Sequence, residues 1–295
     1  MSTTLFRKPR PRPGEPAPAL ALPATDGTTV TAAKGEITVV VFTCNHCPFA
    51  LAWHDRLCAV ARDYAPHGVR LIHVNANDSD RHPDDSFEAM AARVERGEFP
   101  GPYLWDEHQR AARAWGVMAT PEVFVVDAEG VLRYHGAPDA DHDDPAQEAA
   151  YLRGALDDLL AGNPVSTAET EVRGCSLKWR VELLYWSGCP SHPDALALAE
   201  DVLTEIGKAG VGVRSREIRT LEEAEAEGFV GSPTLRVGGA ELIEPEPGTP
   251  AALACRLYRR RDGRSSPLPD RDDLAEALRA ALVYPWELPG WQGRP

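Results

Sequence analysis

The sequence predicts an α/β protein with two domains in tandem, each a mixed sheet covered by helices on both faces. Three observations predict this fold class. The chain has 295 residues, 43% of them hydrophobic, which is enough for two cores. Strand-like and helix-like patterns alternate along it. The order of elements found up to about residue 179 then starts again in a shorter form.

The first domain is predicted over residues 25–179, after a proline-rich N-terminal arm over residues 1–24. Apolar residues at alternating, continuous or helical spacing mark its elements. In chain order these are a strand over 37–42, a helix over 48–64, a strand over 69–74, helices around 87–94 and 107–115, a hairpin over 122–136 and a helix around 152–160.

The second domain is predicted over residues 180–283, followed by a C-terminal tail over residues 284–295. Its pattern repeats that of the first domain with shorter connections. The predicted elements are a strand over 181–186, a helix that ends near residue 207, a strand over 212–219, a short helix over 221–228, a hairpin over 234–245 and a helix over 272–282.

The charge balance excludes some classes of partner. With 45 acidic and 31 basic side chains, the net charge of -14 opposes binding to nucleic acid or to an anionic membrane. No run of eighteen apolar residues is present, and the N-terminus lacks the apolar segment of an export signal. We therefore expect a cytoplasmic protein that binds neither nucleic acid nor membrane.

Six cysteines are too few for a disulfide-stapled scaffold of this length. The isolated Cys58 is expected to be a small buried hydrophobic residue. The pair Cys44 and Cys47 is different, because a C-x-x-C motif between a strand and a helix is typical of redox chemistry or of a metal site. A cysteine at a helix start has a lowered pKa, since unpaired N–H groups and the positive end of the helix dipole favour the thiolate.

The proline after the motif indicates which cysteine is more reactive. Proline is favoured at the first helical position, so Pro48 places Cys47 at the helix start and Cys44 on the loop before it. The same reasoning places Cys189 at the start of a helix opened by Pro190. His46 would stabilise the Cys47 thiolate when it is cationic, although a solvated loop histidine explains it equally well.

A second recurring feature is an X-Pro dipeptide directly before a strand. Thr120–Pro121 occurs in the first domain and Ser232–Pro233 in the second. An ordinary edge proline is one explanation, but its recurrence favours a common role. A cis proline would be the usual device at such a position.

The first domain resembles the redoxin branch of the thioredoxin superfamily, which includes alkyl hydroperoxide reductase and thiol-specific antioxidant (AhpC/TSA) proteins. The motifs CNHCP, a Thr-Pro strand, YHG and RGCSLKW carry this resemblance over roughly residues 14–179. It implies a thioredoxin-like fold in which Thr120 and cis Pro121 form a substrate-docking wall facing the active cysteine. Cys175 belongs to the resembling segment and is either a second resolving thiol, a third ligand or a structural cysteine.

The second domain resembles small bacterial thioredoxin-like domains sometimes labelled alkylmercury lyase, through the motifs YWSGCP, GSPTLRVGG and CRLYRRRDG. The resemblance implies two thioredoxin-like domains in tandem. His192 stands three residues after Cys189, so no local resolving cysteine exists. Cys189, facing Pro233, could act alone, pair with Cys255, exchange with the first domain or be a relic.

The sequence therefore predicts a thiol–disulfide oxidoreductase that uses Cys44 and Cys47 and needs no cofactor. Its substrate would be a protein or small molecule carrying a thiol or disulfide, with thioredoxin or a low-molecular-weight thiol as electron donor. A peroxiredoxin-like peroxidase is an alternative. The resemblance disfavours it, because Cys44 and Val40 stand where a peroxidatic site would have threonine and proline.

Three further alternatives remain open. Cys44, His46, Cys47 and Cys175 could bind zinc or copper, since thiolates and imidazole are soft or borderline ligands. Organomercurial cleavage by Cys189 and Cys255 rests on resemblance of fold alone. A non-catalytic binding module would have thiols no more reactive than a free cysteine.

Overall fold

The computed structural model describes residues 10–32, 34–284 and 287. They form two compact units that divide between Lys178 and Trp179, next to the boundary predicted near residue 179. We call them the N-terminal unit and the C-terminal unit. Most of the predicted tail, and the first nine residues of the predicted arm, lie outside the described residues. Within the described part of the chain, no helix combines the length and apolar character needed to cross a bilayer.

The N-terminal unit contains nine strands and four α-helices among its described residues. In chain order they are β1 (Ala21–Pro23), β2 (Thr29–Thr31), β3 (Ile37–Thr43), α1 (Pro48–Tyr64), β4 (Val69–Asn75), α2 (Phe87–Glu95), β5 (Tyr103–Trp105), α3 (Arg110–Ala114), β6 (Ala119–Thr120), β7 (Glu122–Val126), β8 (Leu132–Gly136), α4 (Ala150–Leu160) and β9 (Cys175–Ser176).

Five of these strands form one mixed sheet in the order β5-β4-β3-β7-β8. Strands β3, β4 and β5 are parallel, because α1 carries the chain back over the sheet between β3 and β4. Strand β7 pairs antiparallel with β3, and the predicted hairpin adds β8. The end of the central strand β3 is therefore the point from which the C-x-x-C motif leaves the sheet.

Helices cover both faces of this sheet, as predicted. On one face, Val39 and Val41 of β3 pack in a core with residues of α1 and α4, including Trp53 and Leu152. On the other face, Phe42 and Phe124 contact the Trp115 ring at the end of α3, with ring centroids 6.1 and 5.1 Å from it. Successive residues of a strand point to opposite faces, which explains this division.

The described part of the predicted N-terminal arm belongs to the N-terminal unit. The Gly14 N–H donates to the Leu132 carbonyl at 2.7 Å, and Leu20 is 3% exposed. Strand β1, within the predicted arm, pairs antiparallel with β2. The prolines remove individual donors, but the remaining backbone groups still pair with the sheet, so proline content alone misplaced the start of the packed chain.

The C-terminal unit has six short strands and three α-helices among its described residues. They are β10 (Val181–Tyr185), α5 (His192–Glu205), β11 (Arg214–Glu217), α6 (Leu221–Glu227), β12 (Thr234–Val237), β13 (Ala240–Glu241), β14 (Tyr258–Arg259), β15 (Ser265–Ser266) and α7 (Arg271–Leu282). Four strands form a mixed sheet in the order β11-β10-β12-β13, with β10 and β11 parallel. Helices α5 and α7 pack against each other.

The prediction that Pro190 opens a helix is wrong. Helix α5 begins at His192, with Ser191 as its N-cap, and Cys189 lies in the turn before it. A second proline, Pro193, occupies the first turn, where a missing N–H is tolerated. The sequence offered two prolines compatible with a helix start, and the later one is used.

Helix α1 is held in place by a buried carboxylate. Asp139 accepts hydrogen bonds at 2.7 Å from the Trp53 indole N–H and from the Arg56 guanidinium, both on α1. It also accepts from the Ala149 N–H at 2.9 Å, just before α4. Asp139 is fully buried and Arg56 is 8% exposed, so this ion pair fixes the helix that carries Cys47 at its start.

Replacing Asp139 with Ala would leave the Arg56 charge buried without its partner. We expect the free energy of unfolding to fall by about 3 to 5 kcal/mol, as is usual for half of a buried ion pair. Urea unfolding monitored by far-ultraviolet circular dichroism measures it. The control is Asp143→Ala, at a carboxylate whose side chain is 81% exposed. Equal stability of the two variants would contradict the anchoring role of Asp139.

Candidate functional site

The C-x-x-C motif occupies the short connection between β3 and α1. Strand β3 ends at Thr43, and Cys47 is the N-cap residue of α1, with Pro48 in the first turn. This is the position that the sequence predicts for Cys47. The Ala50 N–H, in the first turn of α1, interacts with the Cys47 sulfur and favours its thiolate form.

Thr120, which the redoxin resemblance places in a wall beside the active cysteine, lies against both Cys44 and Cys47. The Thr120–Pro121 peptide bond is cis. As a thiol, Cys47 donates to the Thr120 carbonyl oxygen at 3.2 Å, and the Cys44 sulfur lies 3.3 Å from the Thr120 hydroxyl. Thr120 is 1% exposed, so these contacts are made in the interior.

Cys175, near the C-terminal end of the unit, also lies beside Cys44 and Cys47. Strand β9 pairs antiparallel with β6, which sets Cys175 opposite Thr120. Gly174 permits this approach, because a Cβ atom there would lie 2.3 Å from the Thr120 carbonyl oxygen. The Cys175 side chain then packs against the cluster of Cys44 and Cys47.

Hydrogen bonds among the three thiols decide where the negative charge lies. The thiol of Cys175, and next that of Cys44, donate to the Cys47 sulfur and lower the pKa of Cys47 far below its ordinary value of 9.0, although burial acts against this. The same bonds raise the pKa of Cys44 and of Cys175 above that value. These directions favour Cys47 as the first of the three cysteines to ionise, beside the thiols of Cys44 and Cys175.

The three cysteines also differ in how exposed they are. Cys47 is 0% exposed and Cys44 is 2% exposed, whereas Cys175 is partly exposed. Reactivity of a thiol requires both the thiolate form and access. The greater reactivity of Cys47 stays a prediction: its lowered pKa favours the thiolate, whereas its burial restricts access by a substrate.

The loop residues between the cysteines are fixed by Asp85. The Asn45 N–H donates to an Asp85 oxygen at 2.7 Å, and His46 Nδ1 lies 2.7 Å from the other oxygen. The ion pair with Asp85 raises the pKa of His46 above 6.5, and a contribution of the same sign comes from Cys47. His46 also stacks on His82, with ring centroids 4.5 Å apart. His46 is thus held beside the cysteines in a setting that favours its cationic form.

Asp85 is fully buried and was not singled out from the sequence. Burial acts to raise its pKa, but hydrogen bonds from His46, Asn45, Asn77 and Asn75 outweigh this and lower it. Asn75 and Asn77 lie at the carboxyl end of β4, next to the end of β3. Polar residues at that edge of the sheet were the available signal, although nothing in the sequence joins them to Asp85.

The predicted metal-ligand set is only partly assembled as a metal site. The ligand atoms that lie within 4.8 Å of one another belong to Cys44, His46 and Asp85. The Asp85 oxygens already accept hydrogen bonds at 2.7 to 3.0 Å from Asn45, Asn75 and Asn77. Because these bonds already engage both Asp85 oxygens, the carboxylate is better suited to position its neighbours than to bind a metal ion.

Cys58 is a buried residue of α1, as the sequence predicts. Its thiol donates to the Glu98 carbonyl at 3.3 Å, and burial raises its pKa to about 11. The remaining candidates Cys189, Pro233 and Cys255 lie together in the C-terminal unit, where the Ser232–Pro233 bond is also cis.

Comparison with known proteins identifies relatives of this chain. Residues 13–135 match the AhpC/TSA family. Over 130 residues the chain is 33% identical to the thiol:disulfide interchange protein DsbE of Allochromatium vinosum, which covers 43% of this chain and 67% of that protein. Two solved structures are similar at greater length. An uncharacterised conserved protein from Geobacillus kaustophilus is 36% identical with a TM-score of 0.53, and the match covers 57% of this chain and 92% of that one.

The second solved structure is a hypothetical protein from Sinorhizobium meliloti, which is 33% identical with a TM-score of 0.54. That match covers 56% of this chain and 93% of the other. The α/β unit with its mixed sheet is thus thioredoxin-like, and the relatives include a thiol:disulfide interchange protein. The chain belongs to the thioredoxin superfamily, and its residues 13–135 match the AhpC/TSA family.

Proposed function

We propose that this chain is a thiol–disulfide oxidoreductase whose redox centre is the thiol cluster, defined as Cys44, Cys47 and Cys175. One observation carries the proposal. The side chains of Cys44 and Cys175 pack against Cys47, which is held at a helix start and against the Thr120–Pro121 wall. One thiolate with a thiol partner in contact is the arrangement that disulfide exchange requires.

The exposed edge of the thiol cluster determines the order of steps. Cys175 is the partly exposed sulfur, so a substrate disulfide meets it first. As the Cys175 sulfur attacks one substrate sulfur, its proton passes to the Cys47 thiolate along their hydrogen bond, so no free Cys175 thiolate has to form. A mixed disulfide forms, and the departing substrate thiolate takes the proton from Cys47.

The buried thiolate then completes the exchange. Cys47 attacks the Cys175 sulfur, the second substrate thiolate leaves, and a Cys47–Cys175 disulfide remains. Cys44, also in contact with Cys47, displaces Cys175 to give Cys44–Cys47 and returns the outer thiol to its free form. In sum, one substrate disulfide is reduced to two thiols and one protein dithiol is oxidised.

The reductant that reopens the disulfide completes the cycle. We propose thioredoxin or a low-molecular-weight thiol for this role, and a cytoplasmic location, where such donors keep thiols reduced. We also propose that the C-terminal unit is a second, smaller thioredoxin-like domain. Its parallel pair β10 and β11, the antiparallel β12 and β13, and the X-Pro before β12 support this.

Peroxide reduction and metal binding have weaker support. Cys44 stands where a peroxidatic site would have threonine, and it contacts Cys47 as a resolving thiol would. Asp85, which completes the set of metal-ligating atoms, already accepts hydrogen bonds from its neighbours.

Disulfide mapping tests the proposal. After oxidation by an excess of a small disulfide, we expect the wild type to contain Cys44–Cys47. The oxidised Cys44→Ser variant should contain Cys47–Cys175, because Cys175 is then the remaining partner in contact with Cys47. That bond closes a loop of more than a hundred residues and should stabilise the fold by roughly 4 kcal/mol, visible as a raised Tm.

Cys58→Ser is the matched control and should give the wild-type map, since Cys58 lies outside the cluster. Free thiols at both Cys44 and Cys47 in the oxidised wild type would refute the proposed function. A free Cys175 and an unchanged Tm in oxidised Cys44→Ser would limit the redox centre to the C-x-x-C pair.

The charge of His46 should depend on Asp85. The raised pKa of His46 contributes stability that is fully present below its unfolded value of 6.5 and is lost as the pH rises through the folded value. In Asp85→Asn we expect the His46 pKa to fall towards 6.5, measured by NMR titration of the imidazole. The control Asp84→Asn changes an exposed neighbour and should leave this titration unchanged. A His46 pKa that is insensitive to Asp85→Asn would show that Asp85 does not set its charge.

A further inference from the structure

The C-terminal unit holds its own pair of cysteines beside an X-Pro turn. The Cys189 thiol donates to the Ser232 carbonyl oxygen at 3.3 Å, directly before Pro233. Cys47 makes the equivalent contact with Thr120 at 3.2 Å in the other unit. Cys189 is also fully buried, so the two sulfurs share their environment although only one belongs to a C-x-x-C motif.

The backbone fixes Cys255 opposite this contact. The Ser232 N–H donates to the Ala254 carbonyl at 2.8 Å, and the Arg256 N–H donates to the Ser232 carbonyl at 2.7 Å. These bonds flank Cys255 and form the bridge that pairs it with Ser232. The Cys255 thiol makes a side-chain hydrogen bond with the Cys189 sulfur. The two cysteines are therefore in contact across the turn, as Cys47 and Cys175 are.

Side chains on both sides hold the Cys255 segment in this position. The Arg256 guanidinium donates to Glu241 at 2.7 Å and to the Ile243 carbonyl at 2.6 Å. Gly231, at φ +144°, leaves room for the segment, because a Cβ atom there would lie 3.1 Å from the Ala254 carbonyl oxygen. The contact between the two sulfurs thus depends on a buried ion pair and a close backbone approach.

We propose that Cys189 and Cys255 form a second thiol–disulfide exchange site, which reduces low-molecular-weight disulfides by closing an intrachain disulfide of its own. The proposal does not depend on the function of the thiol cluster. Cys255 is exposed and Cys189 is buried, so the outer thiol meets the substrate and the inner thiol resolves the mixed disulfide. Burial opposes ionisation of Cys189, but donors from Ser191, Ser232 and Cys255 outweigh it and lower its pKa.

The exchange at this site balances without any further reactant. As the Cys255 sulfur attacks one sulfur of the substrate disulfide, its proton passes to the Cys189 thiolate, and the departing substrate thiolate then takes that proton. The Cys189 thiolate then attacks Cys255, a Cys189–Cys255 bond forms, and the second substrate thiolate leaves to be protonated by solvent. Two protein thiols are oxidised and one substrate disulfide becomes two thiols.

The test uses the full chain with the thiol cluster removed. In the variant Cys44→Ser/Cys47→Ser/Cys175→Ser the remaining cysteines are Cys58, Cys189 and Cys255. It is treated with bis(2-hydroxyethyl) disulfide, and the free thiols and peptide masses are measured. We expect loss of two of the three thiols, an intrachain Cys189–Cys255 disulfide, a free Cys58 and full recovery of thiols with dithiothreitol.

The added substitution Cys189→Ser should abolish the intrachain disulfide and leave the mixed disulfide on Cys255, the thiol that meets the substrate first. Separate hydroxyethyl adducts on Cys189 and Cys255, or two unreacted thiols, would overturn the proposal. If the triple variant does not fold, the same mapping of the wild type decides between these outcomes. A Cys189–Cys255 disulfide without one at Cys47 would leave this site standing while the proposed function of the thiol cluster fails.

Discussion

A buried sulfur can carry a negative charge only where hydrogen-bond donors replace the water it has lost, and Cys47 meets this constraint. Cys47 is 0% exposed, yet the thiols of Cys175 and Cys44 and the Ala50 N–H of α1 favour its thiolate form. The strand-to-helix turn supplies Cys44 and the Ala50 N–H. The second thiol has to come from elsewhere in the chain, and this requirement explains the return of the chain at β9.

The fold supplies that second thiol by bringing two distant segments into close backbone contact. Gly174 lets β9 pair with β6, which places Cys175 opposite the Thr120 carbonyl that also contacts Cys47. Asp85 fixes the motif from the other side through Asn45 and His46. The C-terminal unit repeats the distant contact with Cys255 and lacks the local one, because Trp186 stands three residues before Cys189, where Cys44 stands before Cys47.

Local patterns predicted much of this arrangement. Helix α1 lies over residues 48–64 as its periodicity indicates, and Pro48 correctly places Cys47 at its start. The Asp85 network could not be predicted, because its hydrogen bonds join residues that are far apart in sequence and show no periodicity. The start of α5 was misplaced because Pro190 and Pro193 satisfy the same rule. The pairing of β1 with β2 was missed, because the proline content of the arm indicates lost N–H donors but does not exclude burial.

The pH titration of the thiolate absorbance of the reduced chain tests the central claim most directly. We compare the wild type with Cys175→Ala, Cys44→Ala and the control Cys58→Ala, since alanine removes the donor altogether. We expect a wild-type thiolate that persists far below pH 9.0. Its pKa should rise most in Cys175→Ala, less in Cys44→Ala and not at all in Cys58→Ala. A wild-type thiolate that titrates near 9.0, or one unaffected by removal of either neighbouring thiol, would contradict it.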